Sequence, residues 1–193
     1  MYTKNNIIKA VNESINVKQS IVDQSREIIN IIKTISKCIS KGNKVLICGN
    51  GGSAADAQHF VAEFLVRLRP NINRKPFPII PLALDSSTLT ACGNDFDFKY
   101  IFSRPLEALG KKNDILIIIS TSGKSENIYE VCKVAKRKKI KVIGLLGNKG
   151  GKVKKFIDRG IIVDSTNTAR IQETHIMLGH IIFEQVENIL LGK

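Results

Sequence analysis

The sequence predicts an α/β protein: a three-layer sandwich with helices on both faces of a five-stranded parallel sheet, preceded by a helical segment. Two observations lead to this prediction. Short segments that are apolar at nearly every position alternate with segments of helical periodicity, which is typical of parallel strands covered on both faces. The chain also begins with apolar residues at helical spacing, ahead of the first strand-like segment.

The N-terminal segment, residues 5–40, is predicted to be helical with a polar interruption at residues 23–27. Apolar residues lie on more than one side of this segment, as at Ile28-Ile29. A helix with two apolar faces must bury both of them. We therefore expect residues 1–41 to pack against another subunit of an oligomer.

The rest of the chain supplies the sheet and its covering helices. A helical pattern over residues 169–191 closes the chain, and no linker or change of composition divides it. We expect one domain, residues 1–193, in which residues 42–193 form the α/β core. The five predicted strands are residues 45–48, 79–84, 115–119, 142–146 and 161–163.

Composition restricts the class of protein. The chain has 193 residues, 43% of them apolar, and 30 Lys and Arg against 17 Asp and Glu give a net charge of +13. The apolar runs are far shorter than the roughly 20 residues of a membrane-spanning helix, so we expect a soluble protein with no membrane partner. Lys outnumbers Arg by 22 to 8 and aromatic residues are 6% of the chain, which argues against a nucleic-acid partner. Four cysteines without a C-x-x-C pair, and no apolar signal stretch, indicate the cytoplasm.

Two loops rich in glycine and hydroxyl residues, 49–57 and 120–127, follow the first and third predicted strands. Ligands of parallel sheets bind beyond the carboxyl ends of the strands, and both loops lie there. Both also open helices, whose N-termini offer unpaired N–H groups and a positive dipole end to an anion. Tight turns and a helix cap at Ser125 would account for either loop alone. Two such loops at one edge favour a phosphate site.

Neither loop carries a complete nucleotide motif. The first has Ala54 where a dinucleotide fingerprint has its third glycine, and the next acidic residue after a strand, Asp85, comes more than 30 residues later instead of about 20. The second has Ile118 where a P-loop needs its first glycine. We expect no nucleotide cofactor.

The helix predicted after the first loop, residues 53–68, carries His59, Glu63 and Arg67 at intervals of four. This spacing places the three side chains on one stripe, within reach of a shared ion or substrate. An ordinary surface pair, or a partly buried histidine with its hydrogen bonds satisfied, would give the same pattern. The position of the stripe directly after the phosphate loop favours the functional interpretation.

The C-terminal helix carries the other polar candidates. Gln172 and His180 are eight residues apart, which is about 12 Å of rise on an ideal helix. Either Gln172 lies at a bent helix start, or one of the two serves the site of a neighbouring subunit. His175 points roughly 140° away from His180, and we expect it to pack in the core or to support the site indirectly.

Four motifs occur in a specific order along the chain. They are NGGSAADAQHF at residues 50–60 with Glu63, GNDF at 93–96, STSGKS at 120–125, and ARIQE at 169–173 ahead of His180. The set resembles the sugar-isomerase (SIS) family, which has a flavodoxin-like fold, and within it the sedoheptulose 7-phosphate isomerases, also called phosphoheptose isomerases. The resemblance covers nearly the whole chain.

The resemblance implies an aldose–ketose isomerase that converts sedoheptulose 7-phosphate to D-glycero-D-manno-heptose 7-phosphate through an enediol. This would be the first step of bacterial heptose nucleotide biosynthesis, which supplies lipopolysaccharide or capsule. It also implies a homotetramer with its sites at subunit interfaces. Carried onto this sequence, the phosphosugar contacts are Asn50, Gly51, Gly52, Ser53, Glu63, Asn94, Asp95, Ser120, Thr121, Ser122, Ser125 and Gln172, and the zinc ligands are His59, Glu63, Gln172 and His180.

The reaction itself calls for these residue types. Isomerisation moves a proton between adjacent carbons and needs a base, an acid and a group that stabilises oxyanion charge. We expect Glu63 to be the base and His180 to shuttle a proton on the other side, with zinc as a Lewis acid. These ligand types suit zinc but also other divalent ions. A glutamate bound to a metal is a poorer base, so either the two roles of Glu63 alternate during turnover or the metal is partly structural. Val66 stands where many members of the family carry glycine.

Two other functions share the resemblance. A non-catalytic SIS protein that binds the replication initiator would tend to have an altered serine loop or to lack the C-terminal histidine, and both features are intact here. A phosphosugar sensor that controls a partner would need a second or DNA-binding domain, for which the sequence shows no evidence.

Overall fold

The computed structural model describes residues 3–83 and 85–192. Twelve regular elements and three 3-10 turns follow one another in the order expected of alternating strands and helices. The helices are α1 (Lys4–Gln19), α2 (Ser25–Ser40), α3 (Gly52–Leu65), α4 (Ser86–Asp95), α5 (Ser103–Leu109), α6 (Glu126–Arg137) and α7 (Thr168–Leu190). The strands are β1 (Val45–Gly49), β2 (Ile79–Pro81), β3 (Ile115–Ser120), β4 (Lys141–Gly147) and β5 (Arg159–Val163), and the 3-10 turns are Ser20–Gln24, Phe98–Tyr100 and Asn148–Phe156.

The five strands form one sheet, in the order β2-β1-β3-β4-β5, and every pair is parallel. The central strand β3 is buried along its whole length, as its continuous apolar sequence predicts. Val45 of β1 is in register with Ile79 on one side and Ile115 on the other. The predicted five-stranded parallel sheet is confirmed.

Each face of the sheet has its own hydrophobic core, which confirms the three-layer sandwich. Successive residues of β1 point to opposite faces: Val45 and Ile47 join the core that α2, α3 and α7 cover, while Leu46 and Cys48 join the core on the opposite face. The first core positions the site, because it packs α3 and α7 side by side across one face of the sheet.

Strand β2 is shorter than predicted. It covers Ile79–Pro81 rather than residues 79–84, and Leu84 lies outside the described residues. Pro81 has no N–H to donate, which favours the edge position that this strand occupies. One further bond, from the N–H of Leu82 to the carbonyl of Ile47, continues the contact with β1.

The N-terminal helix is interrupted earlier than predicted, at Ser20–Gln24 instead of residues 23–27. The side chain of Gln24 donates to the carbonyl of Ile162 and accepts from its N–H, so it bonds to the exposed edge of β5. Because this contact joins residues 138 positions apart, the local sequence does not reveal it. Helix α1 itself buries no residue within the chain.

Helix α3 ends at Leu65, three residues earlier than predicted, so Arg67 is not on its stripe. Arg74 accounts for this end, because its guanidinium donates to the carbonyls of Glu63 and Phe64 in the last turn. Arg67 is exposed and donates instead to the carbonyl of Pro70. In the described part of the chain, no helix has both the length and the apolar character needed to cross a bilayer.

Candidate active site

The two predicted phosphate loops lie together at the carboxyl edge of the sheet. β1 ends at Gly49 and leads into α3, and β3 ends at Ser120 and leads into α6. Gly51 has a φ of 55°, a left-handed conformation that a side chain would strain. Its carbonyl accepts the N–H groups of Ala54 and Ala55 and so starts α3.

The hydroxyl groups of the second loop organise its backbone. The N–H of Gly123 donates to Oγ of Ser120 over 3.0 Å, and the N–H of Lys124 donates to Oγ of Ser122 over 3.2 Å. A hydroxyl that accepts in this way still has its own hydrogen to donate. Both serines can therefore hold the loop and donate to an anion at the same time.

Ser125 occupies the N-cap position of α6, but its side chain makes no capping hydrogen bond. The interpretation of Ser125 as a simple helix cap is therefore not supported by its contacts. Its hydroxyl, beside the N-terminus of α6, remains available to a ligand.

The second loop is backed by a glycine pair from the segment after β4. Gly123 has a φ of 62°, and a Cβ built on it would lie 2.0 Å from the carbonyl oxygen of Gly150. The N–H of Val153 donates to the carbonyl of Gly123. Only glycine fits at this crossing, so the loop is held rigidly against Gly150 and Gly151.

Three side chains from two helices converge at one point. Oε1 of Glu63 lies 3.0 Å from Nε2 of His59 and 3.2 Å from Nε2 of His180, and the two imidazole nitrogens are 3.0 Å apart. Both histidines are partly exposed, whereas Glu63 is buried. The structure thus brings together three of the four predicted zinc ligands.

Close packing of α3 on α7 creates this convergence. Gly179, next to His180, faces Phe60: a Cβ built on Gly179 would lie 1.9 Å from the Phe60 ring. The rings of Phe60 and Phe64 from α3 also contact Phe183 of α7, with centroids 5.0 Å and 4.2 Å apart. The missing side chain at Gly179 lets the helices approach closely enough for His180 to reach Glu63.

Gln172 lies at the other end of the same helix pair. Its Nε2 would be 2.6 Å from a Cβ built on Gly52, so its side chain covers the first residue of α3. Because α3 and α7 lie side by side, Gln172 contacts the start of α3 while His180 contacts its later turns. One chain therefore presents both residues to one helix, without a bent helix start.

Asn94 and Asp95 stand apart from these groups. They end α4, are exposed, and bond to each other through Nδ2 of Asn94 and Oδ1 of Asp95 over 2.8 Å. Asp95 lines a cleft of about 720 Å³ with residues of α4 and α5. Another cleft, of about 970 Å³, is lined by Asn50, Gly51, Ser125 and Asn127 and opens directly beside the phosphate loops.

His175 is fully buried in α7, as expected of a core residue. Burial lowers the pKa of its imidazole to about 4, so the ring is neutral at physiological pH.

The structure also adds a residue that the sequence analysis missed. Asp56 has a buried Oδ2 without a hydrogen-bond partner among the described residues, and burial raises the pKa of its carboxyl, although the imidazoles of His59 and His180 oppose this. Asp56 lies three residues before His59 on the same helix stripe, and this spacing could have identified it from the sequence.

Known proteins are similar to this chain in sequence. The model of the SIS domain family matches residues 10–147. The phosphoheptose isomerase of Clostridium acetobutylicum is 46% identical over 193 residues, which cover 98% of this chain and 97% of the relative. That of Campylobacter concisus is 48% identical over 158 residues, 82% of each chain.

Solved structures agree in fold. The structure of a phosphoheptose isomerase from Francisella tularensis matches with a TM-score of 0.92 at 35% identity, covering 97% of this chain and 100% of that one. The structure of phosphoheptose isomerase GmhA from Neisseria gonorrhoeae matches with a TM-score of 0.89 at 36% identity, covering 96% and 98%. Fold and site together define a protein of the SIS class. Within that class, the chain belongs to the phosphoheptose isomerase family.

Proposed function

We propose that this protein is an isomerase that interconverts sedoheptulose 7-phosphate and D-glycero-D-manno-heptose 7-phosphate, the first step towards bacterial heptose nucleotides. The observation that carries the proposal is the 3.2 Å contact between Glu63 and His180 on the two helices that also border the phosphate loops. The names of the relatives support the choice of substrate.

The phosphate of the sugar binds in the second loop and at the adjoining helix N-termini. Ser53, Ser120, Thr121, Ser122 and Ser125 supply hydroxyl donors, and Asn50, Gly51 and Gly52 supply backbone N–H groups. The N–H of Ser53 is not among these, because it donates to the carbonyl of Asn50. Gln172 reaches over Gly52 and closes the site from α7, which is supported by its Nε2 lying 2.6 Å from where a Cβ on Gly52 would be. Asn94 and Asp95 are proposed to contact the sugar in the assembled enzyme.

Glu63 and His180 carry the proton transfers. Glu63 takes a proton from C1 of the ketose while the C2 carbonyl oxygen receives one from His180, which gives the enediol. Glu63 then returns its proton to C2 while His180 takes the O1 proton, which completes the aldose and restores both groups. Geometry supports both roles, since each group lies within hydrogen-bond reach of the other and the pair is partly open to solvent.

His59, Glu63 and His180 are proposed to hold a zinc ion. Their nitrogen and oxygen atoms lie 3.0–3.2 Å apart, close to the roughly 3.3 Å between neighbouring ligands of tetrahedral zinc. Gln172 of the same chain lies over Gly52, so as the fourth ligand it is proposed to come from a neighbouring subunit. Oε2 of Glu63 is buried and has no hydrogen-bond partner among residues 3–83 and 85–192, which also suits a cation. When bound, such an ion supplies Lewis-acid polarisation of the substrate oxygens.

The enzyme is further proposed to be a cytoplasmic homotetramer whose sites lie at subunit interfaces. Helix α1 supports this, because Ile7, Ile8, Val11 and Ile15 are exposed on a helix that buries nothing within its own chain. Contiguous exposed apolar surface of this kind marks an interface. Light scattering after size exclusion measures the subunit number.

Turnover of sedoheptulose 7-phosphate by purified protein, with and without added zinc, tests the function. We expect Glu63→Gln and His180→Gln to lose at least about a hundredfold in kcat while keeping the wild-type circular dichroism spectrum. Asp23→Asn, an exposed change in the turn Ser20–Gln24, is the matched control and should turn over normally. Normal turnover by both site variants would refute the mechanism, and a folded wild type without turnover would favour the non-catalytic alternative.

A further inference from the structure

We propose that Arg74 and Glu187 form a positioning pair that sets how α3 lies on α7, and through it the contact between Glu63 and His180. The pair is not part of the catalytic group itself. This inference rests on the proposed function only in naming Glu63 and His180 as the reacting groups.

Arg74 is bonded on every side. Its Nε donates to Oε1 of Glu187 over 2.5 Å, and its Nη2 and Nη1 donate to the carbonyls of Glu63 and Phe64 over 2.8 Å and 2.9 Å. Both charged side chains are only 1% exposed. A single guanidinium thus joins the backbone of the proposed base to a side chain of the facing helix.

Glu187 lies on α7 seven residues after His180, which puts the two on the same helix face. Its second oxygen, Oε2, accepts from Nε of Arg69 over 2.7 Å. Burial alone raises the pKa of Glu187, but the hydrogen bonds and charges of Arg74 and Arg69 outweigh it and leave the pKa below its ordinary value. Glu187 is therefore an anion that forms ion pairs with two arginines from the segment after α3.

Directional bonds are needed here because the rest of the contact is apolar. The phenylalanine rings of α3 and α7 pack without fixed hydrogen-bond directions, so they resist separation of the helices more than a slide of one along the other. The guanidinium bonds weaken steeply with misalignment. An error of about 1 Å in the placement of reacting groups can cost about a hundredfold in rate.

A pair that served only stability would not need the hydrogen bonds that Arg74 makes to the last turn of α3. Buried ion pairs can often be replaced by apolar residues without loss of stability, so stability alone does not explain the direct bond from Arg74 to the carbonyl of Glu63. Arg69 provides the comparison within the chain: it grips the same Glu187 but bonds otherwise to Asn188 and Glu184, and not to the last turn of α3.

The test compares Arg74→Lys with Arg69→Lys. A lysine at position 74 keeps the charge but cannot bond to Glu187 and two carbonyls at once. We expect Arg74→Lys to lower kcat about 10- to 100-fold with KM changed less than about threefold. Arg69→Lys should lower kcat clearly less than Arg74→Lys does, although the melting temperatures of the two variants should fall by similar amounts. Arg137→Lys, an exposed change on α6, should leave both quantities unchanged.

Crystal structures of the metal-free variants give a readout that does not depend on turnover. The Oε1–Nε2 separation of Glu63 and His180, 3.2 Å in this structure, should widen in Arg74→Lys and stay the same in Arg69→Lys. Glu187→Gln, which keeps the shape of the side chain, serves as a second variant and should widen the separation as well.

Three results would overturn the proposal. They are an unchanged separation in both Arg74→Lys and Glu187→Gln, equal losses of kcat in Arg74→Lys and Arg69→Lys, and failure of both variants of the pair to fold. Absence of turnover in the wild type would instead count against the proposed function, and the comparison of separations would still decide on the pair.

Discussion

Asn50 and Asn127 bond to each other through their side-chain amides in both directions. Nδ2 of Asn50 donates to Oδ1 of Asn127 over 2.9 Å, and Nδ2 of Asn127 donates to Oδ1 of Asn50 over 2.8 Å. The pair joins the loop after β1 to the first turn of α6, and so holds the two halves of the proposed phosphate site in register. Asn50, expected from the sequence to contact the sugar, has this structural role in the chain.

Replacing Asn127 by alanine should loosen the phosphate site without touching the proton-transfer groups. The change removes two hydrogen bonds and leaves the amide of Asn50 without its partner, which costs about 1–3 kcal/mol of unfolding free energy. We expect KM for the phosphosugar to rise about tenfold with kcat nearly constant. Steady-state kinetics measures this, and Asn71→Ala, at an exposed position, is the matched control.

A fall in kcat with unchanged KM in Asn127→Ala would contradict this prediction. It would mean that the amide pair acts on the reacting groups and not on the grip of the phosphate.

The sequence predicted those parts of the fold that depend on local pattern. The strand at residues 115–119 is recognisable because burial on both faces requires an unbroken apolar run, and it is observed as Ile115–Ser120. The order of the strands was not predictable, since no local feature says that β1 lies between β2 and β3. The end of α3 was missed for the same reason, because Arg74 sets it from ten residues away.

In the candidate site, too, local pattern predicted some contacts, whereas contacts between distant parts of the chain could not be predicted from it. Spacing of four predicted that His59 and Glu63 share a helix face, and the structure confirms this. The contact of Glu63 with His180 could only be inferred through resemblance, because it depends on how two distant helices pack. The link between Arg74 and Glu187, 113 residues apart, leaves no trace in local pattern, since each residue alone resembles an ordinary surface charge.

Gly179→Ala should disturb the packing of α3 on α7. A new Cβ would lie 1.9 Å from the buried ring of Phe60, so one helix must move, at a cost of about 1–3 kcal/mol. We expect a lower melting temperature and a fall in kcat, because His180 is the next residue on the helix that shifts.

Gly93→Ala is the control for this change. A Cβ at Gly93, within α4, meets nothing within 4 Å, and alanine in a helix is better than glycine by about 1 kcal/mol. Thermal unfolding followed by circular dichroism should show the two variants moving in opposite directions. A stabilised Gly179→Ala would mean that the helices separate without cost.

The four cysteines should be unreactive in the folded protein. All are buried, and burial raises the pKa of Cys38 to about 11 and that of Cys132 to about 12. Because only the thiolate reacts, these two thiols should be modified at least about a hundredfold more slowly than in the unfolded chain at pH 8. A thiol reagent should therefore detect four groups in denaturant and no fast-reacting group without it, and rapid modification of Cys38 would show that the end of α2 opens.

Stability should fall in mild acid because of His175. Its pKa is about 4 in the folded protein and near 6.5 in the unfolded chain. Between these values the unfolded state binds a proton that the folded state does not, so the stabilisation is complete above pH 6.5 and is lost as the pH falls towards 4. At pH 5 this titration lowers the free energy of unfolding by about 2 kcal/mol.

Urea unfolding of the wild type and of His175→Gln, each at pH 7 and pH 5, isolates this contribution. Between the two pH values, the free energy of unfolding of the wild type should fall by about 2 kcal/mol more than that of the variant. The difference between the two pH values removes any constant cost of the substitution, and subtracting the variant from the wild type removes every pH-dependent contribution that the two proteins share. Equal losses would mean that the imidazole is reached by water or is already charged in the folded protein.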